Sequence, residues 1–226
     1  MQAAHCNSLL GKSSRCYILH VMNEYTSILR KGRKFDQVLD GARQVFMADG
    51  FERASVDEIA RVAGVSKATI YSYFPDKRLI FTEVLRSECQ RQARQVLDRV
   101  DMSASPREVL GIAGRSFLRF VTSPVGQRIF RICVTEADAF PEIGLAFYNS
   151  GPKIMRAEMS AYFECAEARG ELKIDDYDLA ADQFGELCKA GIWLRCLFGV
   201  PPQISGAEIE HTVDNAVETF MARYGT

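Results

Sequence analysis

The sequence predicts an all-α protein with a small N-terminal domain and a larger C-terminal one. Apolar residues recur at helical spacing along most of the chain, first at positions 35, 38, 39, 42, 45 and 46. Glycine and proline interrupt these patterns at intervals typical of helix ends. Strand-like alternation is absent from the sequence, and so is the hairpin dipeptide Asn-Gly. These observations together favour a helical fold throughout.

Composition and charge limit the classes of protein that need to be considered. The 226 residues are 47% hydrophobic and 25% charged, with a net charge of −1. No apolar run reaches the roughly 18 residues that a membrane span requires, and residues 1–25 lack the apolar region of a secretory signal. Residues 1–100 contain 16 Lys and Arg against 11 Asp and Glu, whereas residues 101–226 contain 12 against 18. We therefore expect a cytoplasmic protein without a membrane partner, whose first part is better suited to a polyanion.

Motifs for catalysis or metal binding are missing from the sequence. A nucleophile elbow, a phosphate loop and metal-ligand spacings are absent, and the three histidines lie away from the expected pocket. The seven cysteines, at positions 6, 16, 89, 133, 165, 188 and 196, form no CxxC pair. We interpret them as small buried hydrophobes in a reducing compartment, with a redox-sensing thiol as the alternative. We expect no enzyme, no cofactor and no metal site.

The first helices can be placed from their end signals. A helix from Phe35 ends at Asp49-Gly50, where glycine can form a left-handed cap. The capping box Ser55-Val-Asp-Glu58 opens a second helix at 55–63, in which Ser55 accepts from the Glu58 amide and Glu58 reaches back. Ser66 caps a third helix at 66–74, and a fourth runs from Lys77 to about Val100. Residues 1–29 are expected to form an N-terminal extension, for which two alternatives stay open: a native start at Met22, or a loose arm formed by the residues before it.

Helices 55–63 and 66–74, with the turn at Gly64, have the size of a helix-turn-helix. Ile70 and Phe74 are four residues apart and can dock the second helix on its neighbours. The remaining hydroxyl, tyrosine and lysine side chains suit base edges and phosphates. A helical hairpin inside a bundle, with half-buried tyrosines, is the alternative that this pattern leaves open.

A resemblance over residues 34–81 makes the prediction more specific. The matching features, in order, are Gly50-Phe51, Ser55-Val56, Ile59-Ala60, Ala63-Gly64-Val65-Ser66, Thr69-Ile70-Tyr71, Tyr73-Phe74, Lys77 and Leu79. Their order and spacing resemble the DNA-binding domain of the TetR family of bacterial transcriptional regulators. The resemblance implies a helix-turn-helix domain at 30–82 that binds a double-stranded DNA operator. It also implies a helical ligand-binding and dimerisation domain at 83–226.

The resemblance further implies roles for single residues. Ser55 matches a hydroxyl that grips phosphate, and Ser66 opens the recognition helix. The positions that approach bases are Lys67, Ala68, Thr69 and Ser72, and those that hold the DNA backbone are Tyr71, Tyr73 and Lys77. Serine at position 72 departs from the larger residue common in the family and reaches less far. Arg33 belongs to a basic run, 30–34, that resembles a minor-groove arm, with a solvated charge run as the alternative.

Further helices are predicted in the second half. Ser-Pro pairs at 105–106 and 123–124 start helices, and helical patterns follow at 142–150, 152–169, 178–199 and 206–223. Residues 110–200 resemble the AefR-like ligand domain at Phe117-Leu118, 128–131, Glu136-Ala137, Phe140-Pro141-Glu142, Gly151-Pro152 and 170–172. The resemblance implies a small-molecule effector and a homodimer through the helices near 178–199 and 206–223. Gly185, Ala190 and Gly191 would allow close helix approach.

An effector pocket is expected to be apolar with a few polar groups. The candidates for it are Phe117, Phe120, Arg131, Glu136, Phe147, Asn149, Phe184 and Trp193. The hypothesis that results is a homodimeric repressor, released from a palindromic operator by a small molecule, with the helix at 77–100 as its lever. An activator and an interaction module that does not bind DNA are the alternatives.

Overall fold

The computed structural model describes residues 32–201 and 203–226, which form eleven α-helices. Besides helices, this part of the chain contains an isolated antiparallel bridge between Leu172 and Gly225. The all-α prediction is therefore confirmed. The extension at 1–29 and the first two residues of the basic run lie outside the described residues. A search of the described helices finds none that is both long and apolar enough to cross a membrane.

The described residues pack as two compact units that do not follow chain order. Residues 32–91 and 128–152 form the first, here the helix-turn-helix unit, and residues 92–127 and 153–226 form the second, the C-terminal unit. Residues 128–152 thus pack with the first helices, although the sequence placed them beyond the expected boundary at 82/83. That boundary remains a prediction about domains that fold on their own.

The helix-turn-helix unit is built around one long first helix. Its helices are α1 (Arg33–Arg53), α2 (Val56–Ala63), α3 (Lys67–Tyr73), most of α4 (Lys77–Leu97), the end of α6 (Pro124–Glu136) and α7 (Pro141–Ser150). The predicted stripe of α1 faces inward, with Phe35, Val38, Ala42, Val45 and Phe46 buried. Gly50, at φ 81°, kinks this helix, and a final turn continues to Arg53. The helix that was predicted to end at 49–50 therefore bends there and continues for one more turn. Glycine readily adopts the positive φ that this bend requires.

The C-terminal unit has its own core of aromatic rings. Its helices are α5 (Pro106–Thr122), α8 (Pro152–Ala168, except for its first residue), α9 (Tyr177–Lys189), α10 (Trp193–Phe198) and α11 (Gly206–Tyr224). Phe220 stacks on Phe163 with ring centroids 5.1 Å apart and meets the edge of Phe184 at 5.6 Å. Arg115 on α5 pairs with Glu210 and Asp214 on α11. Apolar packing inside and ion pairs at the surface thus hold α5 against α11.

The prediction of a single helix at 178–199 is wrong. Two helices, α9 and α10, occupy this range, because Ala190 leaves the helical backbone at ψ 125° and Gly191 adopts a φ of 73°. Only glycine takes that left-handed conformation readily, so it ends the helix. Gly185 does allow close approach, but within the chain: a Cβ added there would lie 3.2 Å from Met155 Cε on α8.

The described cysteines behave as small hydrophobes. Cys89, Cys133, Cys165 and Cys188 are buried, and Cys196 is half-buried. Burial raises the pKa of the Cys89, Cys133 and Cys188 thiols to about 12. These thiols remain protonated near neutral pH and are poor nucleophiles. Cys6 and Cys16 lie outside the described residues.

Candidate nucleic-acid interface

Both short helices of the helix-turn-helix begin at a serine cap. Ser55 Oγ accepts from the Glu58 amide at 3.1 Å, and Ser66 Oγ accepts from the Thr69 amide at the same distance. The predicted return bond of the first capping box is replaced, because the Glu58 carboxylate receives the Arg61 guanidinium at 2.9 and 2.6 Å. Gly64, at φ 64°, then ends α2 with a left-handed cap. The turn between α2 and α3 is therefore defined by local hydrogen bonds.

A close crossing of α1 and α2 positions this turn. A Cβ added to Gly41 would lie 2.7 Å from Ala63 Cβ and 2.8 Å from the Ala63 nitrogen. Real Cβ atoms do not approach a backbone so closely, so the crossing requires glycine at position 41. The sequence pattern of α1 did not reveal this requirement.

The recognition helix α3 docks through the residues that the sequence predicted. Ile70 is 0% and Phe74 is 1% exposed. Phe74 stacks on Phe35 with centroids 5.4 Å apart, and the Tyr73 ring meets Phe35 edge-on at 5.6 Å. This docking leaves the opposite side of α3 facing solvent.

The solvent-facing side of α3 carries most of the predicted contact residues. Exposed positions are Ser66, Lys67, Ala68, Tyr71 and Ser72, with Thr69 half-buried beside them, and Arg33 and Ser55 are exposed on their own elements. The Ser72 hydroxyl donates to the Thr69 carbonyl at 2.7 Å, so it is turned back onto its own helix. Lys67 pairs with the exposed carboxylate of Asp57. Such an exposed ion pair is weak and can exchange its partner for a phosphate.

Lys77 has a different environment from the one predicted. Its ammonium group donates to the carbonyls of Phe51 at 2.8 Å, Glu52 at 3.1 Å and Ala54 at 3.1 Å. It also lies 4.5 Å from the centre of the Phe51 ring. A lysine ammonium has three protons to donate, and here each has a carbonyl at the end of α1. Lys77 thus joins the end of α1 to the start of α4, while its predicted contact with the DNA backbone stays a prediction.

Residues 128–152 add a second set of contacts to the end of α1. The Arg128 guanidinium donates to the carbonyls of Met47 at 3.2 Å and Ala48 at 3.4 Å. Phe140 meets the Phe51 ring edge-on at 6.2 Å, and the Arg78 guanidinium lies 5.2 Å from the centre of the Phe140 ring. We name Arg128, Phe140 and Arg78, together with the residues of α1 that they contact, the α1 clamp.

The structure divides the predicted effector residues between the two units. Those in the C-terminal unit are Phe117, Phe120, Phe184 and Trp193, and those in the helix-turn-helix unit are Arg131, Glu136, Phe147 and Asn149. Phe184 is 2% exposed and belongs to the core. Glu136 is 5% exposed; burial raises the pKa of its carboxyl, Glu52 raises it further, and Lys77 opposes both. Glu136 therefore stands near Lys77 in the helix-turn-helix unit.

A polar side chain of the C-terminal unit was missed. Glu158 Oε2 is buried and has no hydrogen-bond partner among the residues that the structure describes. The residue stands on α8 one turn from Met155 and Tyr162, so an acid interrupts a stripe of apolar side chains. This acidic residue at an otherwise apolar helical position was the sequence signal that could have identified Glu158.

Comparisons with known proteins agree with this geometry. Residues 38–84 match the family model of bacterial regulatory proteins of the tetR family, and residues 108–226 match the C-terminal domain of AefR-like transcriptional repressors. The flavonoid-responsive regulator FrrA is 32% identical, with a TM-score of 0.72 over 86% of this chain and 98% of that chain. A putative TetR-family regulator from Mesorhizobium loti is 26% identical, with a TM-score of 0.74 over the same shares.

Matches to curated proteins are shorter. An uncharacterized HTH-type transcriptional regulator of Mycobacterium tuberculosis is 29% identical over 98 residues, or 43% of this chain and 48% of that protein. The chain thus spans about half the length of the curated relatives it matches first. The two family models together cover the helix-turn-helix and most of the remaining chain. The chain belongs to the TetR family of helix-turn-helix transcriptional regulators.

Proposed function

We propose that this regulator is a homodimeric repressor that leaves a palindromic operator when a small molecule binds its C-terminal unit. The observation that carries this proposal is the division of α3 into two faces. Ile70 and Phe74 are buried, whereas Lys67, Ala68, Tyr71 and Ser72 are exposed. A helix docked on one face and open on the other is what insertion into a major groove requires.

In the proposed complex the residues of α3 divide between base and backbone contacts. Thr69 and Lys67 stand in the first turn, where a recognition helix meets base edges, and the Lys67 ammonium also supplies a charge to the adjacent phosphates. Tyr71, 53% exposed, presents its hydroxyl to phosphate oxygens, as does Ser55, while the exposed Arg33 guanidinium reaches toward the minor groove. Tyr73 supports the helix through Phe35, and Lys77 positions it through the end of α1. We assign Lys77 to positioning because its three protons already have acceptors.

A dimer is part of the proposal because α3 has only seven residues and reads few base pairs. A two-fold pair of such helices can read both halves of a palindrome. The C-terminal unit exposes Leu179 at 52%, Leu194 at 65% and Phe198 at 79%, all within the range 178–199 predicted for the interface. Exposed side chains of this size, close in sequence, support their burial against a second copy. The exposed face of α11 is more polar.

The proposed effector is an aromatic molecule with hydroxyl groups. The support is the similarity to FrrA, whose name describes it as flavonoid-responsive. An effector releases DNA only to the extent that it binds the DNA-free conformation more tightly than the DNA-bound one.

The test begins with operator selection from fragments of the source genome, followed by gel shifts at several salt concentrations. In the Thr69→Ala variant we expect relaxed preference at one position of each half-site, with a loss of about 1–3 kcal/mol for the preferred base. Thr135→Ala, an exposed threonine on α6, is the matched control and should bind like the wild type. The proposal is contradicted if the protein shifts no DNA duplex at low salt, or if it stays monomeric at working concentration.

A further inference from the structure

Glu158 is an unusual residue of the C-terminal unit. Its Oε2 atom is buried without a hydrogen-bond partner, and no other buried side-chain nitrogen or oxygen of the described residues lacks one. Buried polar groups in native proteins are almost always paired, so each exception requires an explanation. A group that a ligand satisfies on binding is one such explanation.

The neighbouring donors on α8 are directed elsewhere. The Arg156 guanidinium binds Asp182 at 2.9 and 2.6 Å, and the Ser160 hydroxyl donates to Asp178 at 2.7 Å. The Tyr162 hydroxyl donates to the Ala104 carbonyl at 3.0 Å. Three donors within four residues of Glu158 thus have other acceptors. The helix is arranged so that it leaves this carboxyl available.

Burial dominates the electrostatic environment of Glu158. Burial alone raises the pKa of its carboxyl from 4.5 to about 7, with no contribution from a nearby cation. Near neutral pH the group therefore exchanges between a neutral acid and a carboxylate. A partner that both donates and accepts suits both states, since the neutral acid can donate as well as accept and the carboxylate only accepts.

A hydroxyl group meets this condition, because it can both donate and accept, whereas an ammonium group can only donate. The same face of α8 carries Met155 and Tyr162 one turn away, and Met159 is partly buried against the core. Thioether and aromatic side chains suit the faces and edges of a flat aromatic ring. The surroundings of Glu158 therefore fit an aromatic body with one polar end.

We propose that Glu158 anchors the effector by a hydrogen bond to a phenolic hydroxyl of an aromatic ligand held in the C-terminal unit. This inference rests on the proposed function, because it names the ligand class and the anchoring residue of the effector site. None of the residues predicted from the sequence as effector contacts supplies an unpartnered buried oxygen of this kind.

The experiment compares flavone with its monohydroxy derivatives on the full chain. Affinity is measured by calorimetry and by quenching of Trp193, the one tryptophan of the sequence, which belongs to the C-terminal unit. The variants are Glu158→Leu, which removes the hydrogen bond, and Glu158→Gln, which keeps an acceptor of similar shape. Glu164→Gln changes an exposed glutamate of the same helix and is the matched control.

We expect the wild type and Glu164→Gln to bind at least one monohydroxyflavone about tenfold or more tightly than flavone, since a hydrogen bond to a charged group has this strength. In Glu158→Leu the preference should fall to about twofold or less, without loss of flavone affinity. Glu158→Gln should keep part of it. If Glu158→Leu does not fold, the test uses the ratio of monohydroxyflavone affinity to flavone affinity in Glu158→Gln. A ratio in Glu158→Gln equal to that of the wild type overturns the proposal.

Two other outcomes also overturn it. One is a wild type without any hydroxyl preference, and the other is a preference that persists in Glu158→Leu. Benzylamine, which is protonated near neutral pH and donates hydrogen bonds, is tested in parallel: binding that is lost in Glu158→Leu, with the hydroxyl preference intact, identifies an ammonium site instead. Operator release separates the two levels of proposal. Equal release of the wild type and Glu158→Leu by hydroxyflavones keeps the proposed function and rejects the anchor, whereas a chain that binds no duplex rejects the function alone.

Discussion

Lys77 and Glu158 show how the same fold treats two polar side chains in opposite ways. Lys77 has three carbonyl acceptors at the end of α1. Glu158 Oε2 has no partner among the described residues. A satisfied group of this kind stabilises packing, whereas an unsatisfied one destabilises it unless a ligand or a proton compensates. The two residues therefore predict different responses to substitution.

For Lys77→Met we expect a loss of about 2–3 kcal/mol in the free energy of unfolding, because three carbonyls lose a charged donor. Operator affinity should fall by the same factor at every salt concentration, since no phosphate contact is removed. Lys67→Met should instead flatten the salt dependence by about 0.9 in the slope of log K against log salt. Urea unfolding and salt-titrated gel shifts measure both effects. If Lys77→Met also flattened the slope of log K against log salt, Lys77 would contact the DNA backbone after all.

For Glu158 we expect a pH-dependent stability. Folding raises the pKa of this carboxyl from 4.5 to about 7, so the native state holds the proton more tightly than the unfolded state. The contribution to stability is complete below pH 4.5 and is lost as the pH rises through about 7. Compared with Glu158→Gln, the wild type should lose stability between pH 5 and pH 8 in urea unfolding. The difference in the free energy of unfolding between the wild type and Glu164→Gln should not change with pH. The prediction would be contradicted if the difference between the wild type and Glu158→Gln were also independent of pH.

At the scale of elements, the position of the recognition helix depends on contacts at two places along α1. Near its middle, Gly41 lets α1 cross α2 at the Ala63 backbone. At its end, Arg128 of the α1 clamp and Lys77 donate to the carbonyls of the last turns. Residues of α6 and α7 thus contact the same helix that supports α2 and α3. A change in α6 can therefore reach the recognition helix through α1 as well as along α4.

Gly41→Ala tests the helix crossing. The added Cβ would meet the Ala63 backbone, which cannot rotate away, so α2 must shift. We expect a loss of about 1–3 kcal/mol in the free energy of unfolding, as for other overpacked sites, together with weaker operator binding. The matched control is Gly206→Ala, where nothing lies within 4 Å of the added Cβ. Thermal unfolding and gel shifts provide the measurements, and wild-type values for Gly41→Ala would exclude a close crossing.

At the scale of the whole molecule, the two units divide the proposed tasks. The helix-turn-helix unit contains the exposed face of α3, and the C-terminal unit contains Glu158 and the exposed apolar residues of α9 and α10. Helices α4 and α6 each contribute residues to both units. These two helices and the chain junction at 152/153 are the covalent routes by which an effector signal can pass from one unit to the other.

Phe198→Glu tests the dimer. Phe198 is 79% exposed in the single chain, and a charge there would be buried against the second copy in the proposed dimer. We expect the dimer dissociation constant to rise about tenfold to a hundredfold, and operator binding to fall with it. Val134→Glu places the same charge at a 60% exposed position of the helix-turn-helix unit and should stay dimeric. Sedimentation velocity distinguishes the two results; a wild-type dimer in Phe198→Glu would move the interface away from α10.

The sequence by itself determined the helical class, the family, the caps at Ser55 and Ser66 and the docking residues Ile70 and Phe74. These features depend on short-range hydrogen bonds and on the 3.6-residue period, which are legible along the chain. Only the tertiary structure decided the partners of Lys77, the break at Gly191, the packing of residues 128–152 with the first helices and the isolation of the Glu158 carboxyl. Each of these depends on backbone conformation or on atoms far apart in the chain, and a one-dimensional pattern does not record which distant groups meet.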